Sequence, residues 1–188
     1  DGKDDVVEIA DKPEWDFGAG AFTVEWWEYR LSTLEAGTIA RDGTTSYTPF
    51  ILGHCSGCSN LGIYMTSNSV SSWDIAEAKS LGAVTLNTWN HFAVTRSGNN
   101  FYAYKNGQQT DTWTSTLALA TNSNPLSIGK EQNKFFNGTI DEVAIYNRSL
   151  TVAEIRQLYH RTWYDHSPQL FLLQPYRNNA TGLNSSDN

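Results

Sequence analysis

The sequence FTVEWWEY at residues 22–29 is the clearest strand pattern in the chain. β-branched and aromatic residues, which are enriched in strands, fill most of its positions. Because side chains alternate across a strand, Phe22, Val24 and Trp26 share one face and are expected to form core. The opposite face carries Trp27, which predicts that this second face is also partly covered.

Strand patterns of the same kind recur along the rest of the chain. Asn106-Gly107 is the strongest hairpin signal, because a type I′ turn needs positive φ at both central residues. Residues 75–79 allow either a helical turn or an irregular strand. The other predicted strands cover residues 6–9, 48–53, 61–65, 89–96, 101–105, 108–113, 126–129 and 138–146. Short strands at this spacing are typical of an all-β, two-sheet antiparallel β-sandwich.

One short C-terminal helix is predicted after the last strand. Thr151 and Glu154 have the spacing of a capping box, and Leu150 and Ile155 can form the hydrophobic staple around it. Ile155 then shares a helix face with Leu158. The helix is therefore expected to lie as a lid on the sandwich.

Length and charge narrow the classes of function. The chain has 188 residues, which suits one sandwich domain over residues 1–162 and a C-terminal extension over residues 163–188. Its net charge is −7 and it has no cluster of Lys and Arg, so we expect no nucleic-acid partner. No apolar run approaches the ~20 residues of a membrane helix, so we expect no membrane insertion.

The two cysteines lie together in the segment Cys55-Ser56-Gly57-Cys58. A disulfide fits, because the ends of a tight turn approach within the required Cα range. Free thiols are a second interpretation, and a metal half-site with His54 is a third, although zinc normally takes further Cys or His ligands. A thioredoxin-like redox pair would need a βαβ setting that the strand pattern does not provide.

Four N-x-S/T sequons are candidates for glycosylation. They begin at Asn137, Asn147, Asn179 and Asn184. Sequons matter only where a chain meets a glycosylation machinery. Together with the paired cysteines they favour an extracellular, cell-surface or virion-surface location.

Several motifs in a fixed order resemble laminin G-like (LamG), concanavalin A-like domains. They are DGKDDVVEI at 1–9, WDFG at 15–18, NTWNHFAVTRSG at 87–98, KNG at 105–107 and FNGTIDEVAIYNRSLT at 136–151. The resemblance covers residues 1–162 and points to the concanavalin A-like lectin/glucanase superfamily. It implies a jelly roll of two sheets.

The resemblance also implies a range of roles: glycan binding, protein binding, adhesion, or building the surface of a particle. The WDFG motif and the TRSG turn look most like domains of phage virion and tail proteins. Such domains usually carry a further strand-containing segment before the DGKDD motif, so here an edge strand is expected to be either missing or supplied by another chain. This favours assembly, or a chain that is part of a longer polypeptide.

Catalysis of the glucanase kind is not expected. The resembling enzymes use a Glu-x-Asp-x-x-Glu cluster, which this sequence lacks, and two carboxylates must face one sugar. Glu25 and Glu28 are the nearest substitute. Residues three apart in a strand point to opposite faces, so this pair is expected to be unable to act together.

Four residues are candidates for glycan binding: Tyr64, Trp73, Asp74 and Trp113. An aromatic ring near a strand end can stack on a sugar, and a neighbouring acid can bind its hydroxyls. The alternative interpretation is that these aromatics fill the core or a subunit contact.

Calcium is the one cofactor that the sequence raises. Asp141 is the candidate ligand, because carboxylates at the loops of such sandwiches can bind Ca²⁺. Asp42, Asp74 and Asp111 are further loop acids. The alternative is that each acid is satisfied by backbone N–H groups.

The extension contains an apolar run at Phe171, Leu172 and Leu173, followed by a polar tail. Such a tail alone does not order itself, so we expect this run to be a contact for self-assembly or for a partner. Two main functional hypotheses follow: a lectin-like module that binds a glycan or surface protein, and a structural subunit such as a capsid decoration, tail or filament protein. A non-enzymatic protein, and a homo-oligomer or larger complex, is expected in either case. A glucanase-like glycoside hydrolase is the third and least favoured hypothesis.

Overall fold

The computed structural model describes residues 1–41 and 47–166, with side chains as far as Arg161. The strands are β1 (Val7–Ile9), β2 (Phe22–Arg30), β3 (Ile39–Arg41), β4 (Phe50–His54), β5 (Asn60–Met65), β6 (Ala76–Ala83), β7 (Trp89–Ser97), β8 (Asn100–Lys105), β9 (Gln108–Thr114), β10 (Leu126–Ile128), β11 (Lys130–Glu131), β12 (Lys134–Phe135) and β13 (Gly138–Tyr146). A short 3₁₀ helix covers Pro13–Trp15, and the helix α1 covers Val152–His166. Within this part of the chain, no helix has both the length and the apolar character that crossing a membrane requires.

The strands form two facing antiparallel sheets. One sheet has six strands in the order β1-β10-β3-β4-β5-β6, and the other has five in the order β13-β2-β7-β8-β9. The β11–β12 hairpin forms a small separate ladder. The predicted all-β sandwich with one C-terminal helix is confirmed.

The inner faces of both sheets form the main core. Phe22, Val24 and Trp26 are at most 1% exposed, as the alternation in β2 predicts. The ring of Trp26 stacks on Phe92 of the neighbouring strand β7, with centroids 5.6 Å apart. The six-stranded sheet contributes aliphatic side chains such as Leu52 to the same cluster.

The outer face of the five-stranded sheet is covered by α1. Trp27 on β2 stacks on Tyr159 of the helix, with ring centroids 5.7 Å apart. Leu150 and Ile155 belong to a second apolar cluster on this side, together with Ala93 of β7. The predictions of a covered second face and of a helical lid are therefore confirmed. The helix continues to His166, past the predicted domain boundary at residue 162.

The start of α1 has the predicted capping box. The backbone N–H of Glu154 donates to Thr151 Oγ1 at 3.3 Å, and the backbone N–H of Thr151 donates to Glu154 Oε2 at 2.8 Å. Arg148 adds an ion pair to Glu154, with 2.7 Å between Nη2 and Oε1. These bonds satisfy donors that a helix start otherwise leaves without partners.

Two local predictions have clear outcomes. Asn106 and Gly107 have φ of 51° and 73° and join β8 to β9, so the predicted hairpin is confirmed. Residues 75–79 prove to be the irregular strand rather than a helical turn. All but the first of them belong to β6, in which Ala78 has φ of 50° and the register with β5 shifts.

Candidate functional site

Four rings form a continuous cluster on the outer side of the six-stranded sheet, opposite to the face that α1 covers. The ring centroids of Tyr47 and Trp73 are 5.3 Å apart, those of Trp73 and Tyr64 are 5.4 Å apart, and those of Tyr64 and His54 are 5.2 Å apart. All four residues are half-buried. We call these four residues the aromatic strip.

A β-bulge at Gly53 turns His54 onto this face. Leu52 pairs with Ile63, but the next pair joins His54 to Gly62, so one residue of β4 is extra. The bulge puts His54 on the same face as Tyr64, whereas Leu52 points into the core. Gly53 has φ of 74°, and a Cβ there would collide with the side chain of Thr38, so the position requires glycine.

A buried polar network holds the bulge from the core side. Arg30 Nη2 donates to the carbonyl oxygen of Gly53 at 2.9 Å, and its Nε donates to Glu28 Oε1 at 3.0 Å. Thr38 Oγ1 donates to the other oxygen of Glu28 at 2.7 Å. Arg30 and Glu28 are 2% exposed, so this ion pair has to be satisfied internally. Strand β2 thereby positions β4 across the sandwich.

Glu131 fixes the orientation of His54. Its Oε2 lies 2.6 Å from His54 Nδ1, and the Glu131 side chain is 7% exposed. Burial, and then the negative charges of Glu131 and Glu77, raise the pKa of Tyr64 above its usual value. The Tyr64 hydroxyl therefore stays protonated and can donate a hydrogen bond over the whole neutral and mildly alkaline range.

A groove opens beside Tyr64 and His54, toward the loop that joins β4 to β5. Its rim carries exposed polar groups, the hydroxyls of Ser56 and Ser59 and the amide of Asn60. Gly62 also lines it, and a Cβ there would lie 2.8 Å from a ring carbon of Tyr64. We call this feature, together with the aromatic strip, the aromatic groove.

A disulfide closes the loop at the rim of the aromatic groove. It joins Cys55 and Cys58, whose Cα atoms are 5.2 Å apart, so the structure has the first of the three predicted alternatives. Cys55 is fully buried, whereas Cys58 lines the groove. The bridge limits the positions that Ser56 and its neighbours can take.

Asp74 supports the loop that carries Trp73. One carboxylate oxygen accepts the backbone N–H of Ser67 at 2.7 Å and the other accepts its hydroxyl at 2.6 Å. Burial raises the pKa of Asp74, but the hydrogen bonds from Ser67 and Thr66 outweigh it and hold the pKa below its usual value. Asp74, which the sequence suggested as a glycan contact, thus uses its carboxylate for hydrogen bonds that hold the loop beside Trp73.

The prediction of Trp113 as a glycan contact is wrong. Trp113 is 7% exposed and belongs to the main core. Its ring stacks on Phe101, with centroids 5.2 Å apart and planes 12° apart. A bulge in the β8–β9 ladder pairs the two residues and turns Trp113 inward.

The acids considered for calcium do not converge. Asp141 lies at the bulge of β13 and accepts the backbone N–H of Glu142 at 2.8 Å. Asp111 accepts the backbone N–H of Ser80 at 2.9 Å, and Asp42 lies outside the described residues. Among the described residues, one set of three His, Cys, Asp or Glu side chains is close enough to share a metal ion. It consists of Asp1, Asp4 and Asp5, which are exposed. No group of three such side chains among the described residues includes Asp141, and its role as a calcium ligand stays a prediction.

The glycosylation and assembly candidates are only partly described. Asn147 is exposed after β13, and Asn137 is half-buried, with its Cβ close to Gly2. The candidates Asn179, Asn184, Phe171, Leu172 and Leu173 lie outside the described residues. Their roles stay predictions.

Glu25 and Glu28 lie on opposite faces of β2, as predicted. Glu28 belongs to the buried network between the sheets, whereas Glu25 lies under α1. Glu25 Oε2 is 2.9 Å from His91 Nε2, and its Oε1 accepts the hydroxyl of Tyr146 at 2.8 Å. Burial and the bond to Glu25 raise the pKa of Tyr146 to about 12.

Sequence reasoning missed three residues of this site. It did not single out Tyr47 or Glu131, and it considered His54 as a metal ligand but not as part of an aromatic cluster. Tyr47 and Glu131 are far apart in sequence from Tyr64, and no local pattern links them. The register of the six-stranded sheet brings them together. A glycine before His54 was the one local hint of a bulge.

The family is shown by a match to the whole sandwich. The chain belongs to the laminin G-like family of the concanavalin A-like lectin/glucanases superfamily, whose model matches residues 1–156. No curated protein sequence shows significant similarity to the chain.

Solved structures share the fold at low sequence identity. Domain 4 of AbnA, an extracellular arabinanase from Geobacillus stearothermophilus in complex with arabinotriose, matches at a TM-score of 0.62 and 17% identity, over 82% of this chain and 72% of that chain. The binding domain of Paraclostridial Mosquitocidal Protein 1 matches at a TM-score of 0.62 and 17% identity, over 84% of this chain and 41% of that chain. The binding domain of botulinum neurotoxin DC, in complex with rat synaptotagmin II, matches at a TM-score of 0.57 and 17% identity, over 85% of this chain and 41% of that chain. The chain thus spans less than half the length of the last two.

Proposed function

We propose that this protein is a non-catalytic module that binds glycans through the aromatic groove. The observation that carries the proposal is the aromatic strip itself: four half-buried rings in contact, with exposed hydroxyl and amide groups at its His54–Tyr64 end. Sugars present apolar C–H faces and hydroxyl edges. An aromatic surface with a few polar groups beside it is complementary to both.

The rings are held in place before any ligand arrives. The bulge at Gly53 and the Arg30 network orient His54, and Asp74 secures the loop of Trp73. Preorganised rings lose little conformational entropy on binding, which supports a recognition site.

Absence of catalysis is part of the proposal. The two carboxylates of β2 are separated by the sheet, and both are engaged in buried hydrogen bonds. In the aromatic groove, Glu131 bonds His54, and Tyr64 is kept neutral. A retaining or inverting glycosidase needs two carboxyl groups across one scissile bond. Incubation with a bound glycan and chromatography of the products would test this, and we expect no cleavage.

We further propose that the module acts outside the cytoplasm, on a cell surface or virion surface. The disulfide and the exposed sequon at Asn147 support this, because disulfides persist in oxidising compartments. Similar folds occur in an extracellular arabinanase and in toxin binding domains.

The proposal is tested by a glycan array probed with the wild-type protein and two variants, with calcium and with a chelator. Trp73→Ala removes a ring of the aromatic strip and should weaken binding by at least about tenfold. Trp89→Ala is the matched control, because Trp89 is also half-buried and packs edge-on against a tyrosine, Tyr29, at 5.8 Å, but lies on the other sheet. Equal effects of the two variants would contradict the assignment of the aromatic groove.

The alternative proposal is a structural subunit in which the sandwich serves assembly. It rests on the apolar run at Phe171, Leu172 and Leu173. Light scattering of the full chain and of a chain that ends at His166 separates the two. An oligomer that the truncation abolishes, with an array that shows no binding, would favour assembly.

A further inference from the structure

Two carboxylates act on the Tyr64 hydroxyl, whereas Lys79 of β6 pairs with Ile63 of the core and so belongs to the other face of the sheet. Glu131 lies on the β11–β12 hairpin and Glu77 lies on β6, and both act on the Tyr64 hydroxyl. Glu77 is exposed and free to meet a ligand, whereas Glu131 is nearly buried behind His54. Neither carboxylate lines the groove itself: Glu77 precedes Ala78, which lines it, and Glu131 bonds His54, which also lines it.

Positive charge does not offset them in the lining. Among the described residues that line the groove, none is Lys or Arg. The nearby hairpin contains Lys130 and Lys134, but each is paired with a glutamate, Lys130 with Glu8 at 2.8 Å and Lys134 with Glu35. A ligand in the groove therefore meets hydroxyls, an amide and aromatic rings, and the carboxylates of Glu77 and Glu131 lie outside this lining.

We propose that the aromatic groove selects neutral glycans and discriminates against chains that carry carboxylates, such as sialylated or uronic acid-containing glycans. This inference rests on the proposed function and names the class of ligand for that same site. An anionic sugar would bring its carboxylate toward Glu77 and Glu131 without a cation to receive it. A neutral sugar would meet only donors and acceptors.

The size of the effect follows from Coulomb's law. Two carboxylates at roughly 8 Å from a ligand carboxylate in water lower its affinity by about fivefold at low ionic strength. The Debye length is about 8 Å at physiological salt, so the discrimination should shrink as salt is added. Affinity for a neutral glycan should depend little on salt.

The test uses matched glycan pairs and titration calorimetry at two ionic strengths. N-acetyllactosamine is compared with sialyl-N-acetyllactosamine, and galactose oligosaccharides are compared with oligogalacturonates. Glu77→Gln removes a charge at an exposed position, so it should leave folding unchanged and reduce the preference for the neutral partner about twofold. Glu131→Gln keeps an acceptor for His54 and should act in the same direction. Glu142→Gln is the control, because it removes an exposed carboxylate from β13 of the other sheet.

Tyr64→Ala separates the two proposals. If the wild type binds both members of a pair equally, or the acidic one more tightly, while Tyr64→Ala abolishes binding, the charge selection is overturned and glycan binding stands. If no probe binds, or binding survives Tyr64→Ala, the glycan function is overturned and the selection falls with it. The result expected here is a neutral-over-acidic preference that Glu77→Gln reduces and Glu142→Gln leaves unchanged.

Discussion

The two outer faces of the sandwich carry similar aromatic side chains but use them differently. On the five-stranded sheet, Trp27 is 1% exposed because α1 lies over it and stacks Tyr159 on its ring. On the six-stranded sheet, Tyr64 and Trp73 contact each other at a similar ring distance and remain half-buried. No helix in the described residues covers them.

Under the proposed function, the covered face provides stability and the open face provides recognition. The covered face converts aromatic area into folding free energy, because its rings leave water during folding. The open face leaves part of that area exposed to water. Substitutions of the same kind should therefore act differently on the two faces. On the covered face they should lower stability, and on the open face they should weaken binding.

The largest expected effect is that of Trp27→Ala. Removing a fully buried indole leaves a cavity under α1 and should lower the free energy of unfolding by about 4 kcal/mol. Trp73→Ala should cost about 1 kcal/mol or less, since Trp73 is half-buried. Urea denaturation of both variants measures the contrast. Equal losses of stability would break the distinction between the faces.

Gly53→Ala should have the next largest effect. The residue would need φ of 74° and its Cβ would collide with Thr38, so we expect a loss of about 3 kcal/mol and weaker glycan binding through a displaced His54. Gly98→Ala is the control, because Gly98 has φ of 58° with no atom near its Cβ position, and should cost about 1 kcal/mol. Denaturation midpoints that are the same for both variants would contradict the account of the bulge.

Loss of the disulfide should come third. A bridge between Cys55 and Cys58 closes a loop of only four residues, for which the chain-entropy model gives about 2 kcal/mol. Thermal unfolding of the wild type with and without a reductant measures this change. We also expect weaker glycan binding after reduction, because the rim of the aromatic groove loses its constraint. Binding that is unchanged after complete reduction would remove the bridge from the site.

The smallest effect concerns the cap of the covering helix. Thr151→Ala removes the capping box and should lower stability by about 1 kcal/mol, and Thr151→Ser should restore it. Glycan binding should not change, since α1 lies on the opposite side of the sandwich from the aromatic groove. A loss of binding with Thr151→Ala would link the two faces and contradict their separation.

The same cap predicts a pH dependence. The ion pair with Arg148 and the hydrogen bonds from Thr151 lower the pKa of Glu154 from 4.5 to about 2. Because the folded pKa is depressed, the stabilisation is complete above pH 4.5 and is lost as the pH falls toward 2. The stability difference between wild type and Glu154→Gln should therefore be constant from pH 7 to 5 and decrease below that. Added salt should weaken it, since the pair is exposed.

Much of the fold could be predicted because its signals are local. Alternation in β2 identified Trp26 as core, and the spacing of Thr151 and Glu154 identified the helix start. The turn at Asn106-Gly107 identified a hairpin. Each signal depends only on residues that are close together in the sequence, so one sequence is sufficient to detect it.

The site could be predicted only in part because bulges change which face a residue occupies. From the turn, Lys105 pairs with Gln108 and Tyr104 with Gln109, a register that would place Phe101 opposite Thr112 and turn Trp113 outward. One extra residue in β9 instead pairs Phe101 with Trp113, which buries the indole. The bulge at Gly53 acts in the opposite sense and brings His54 out of the core. Neither shift follows from strand periodicity.

The most direct test of the central claim is an NMR titration that follows the indole N–H signals of the seven tryptophans. The titrant is the glycan that binds most tightly on the array. We predict that the Trp73 signal shifts with saturable binding, whereas the signals of Trp27 and Trp89 on the other sheet stay in place. A saturable shift of Trp27 or Trp89 without a shift of Trp73 would place the binding site on the covered sheet and contradict the account.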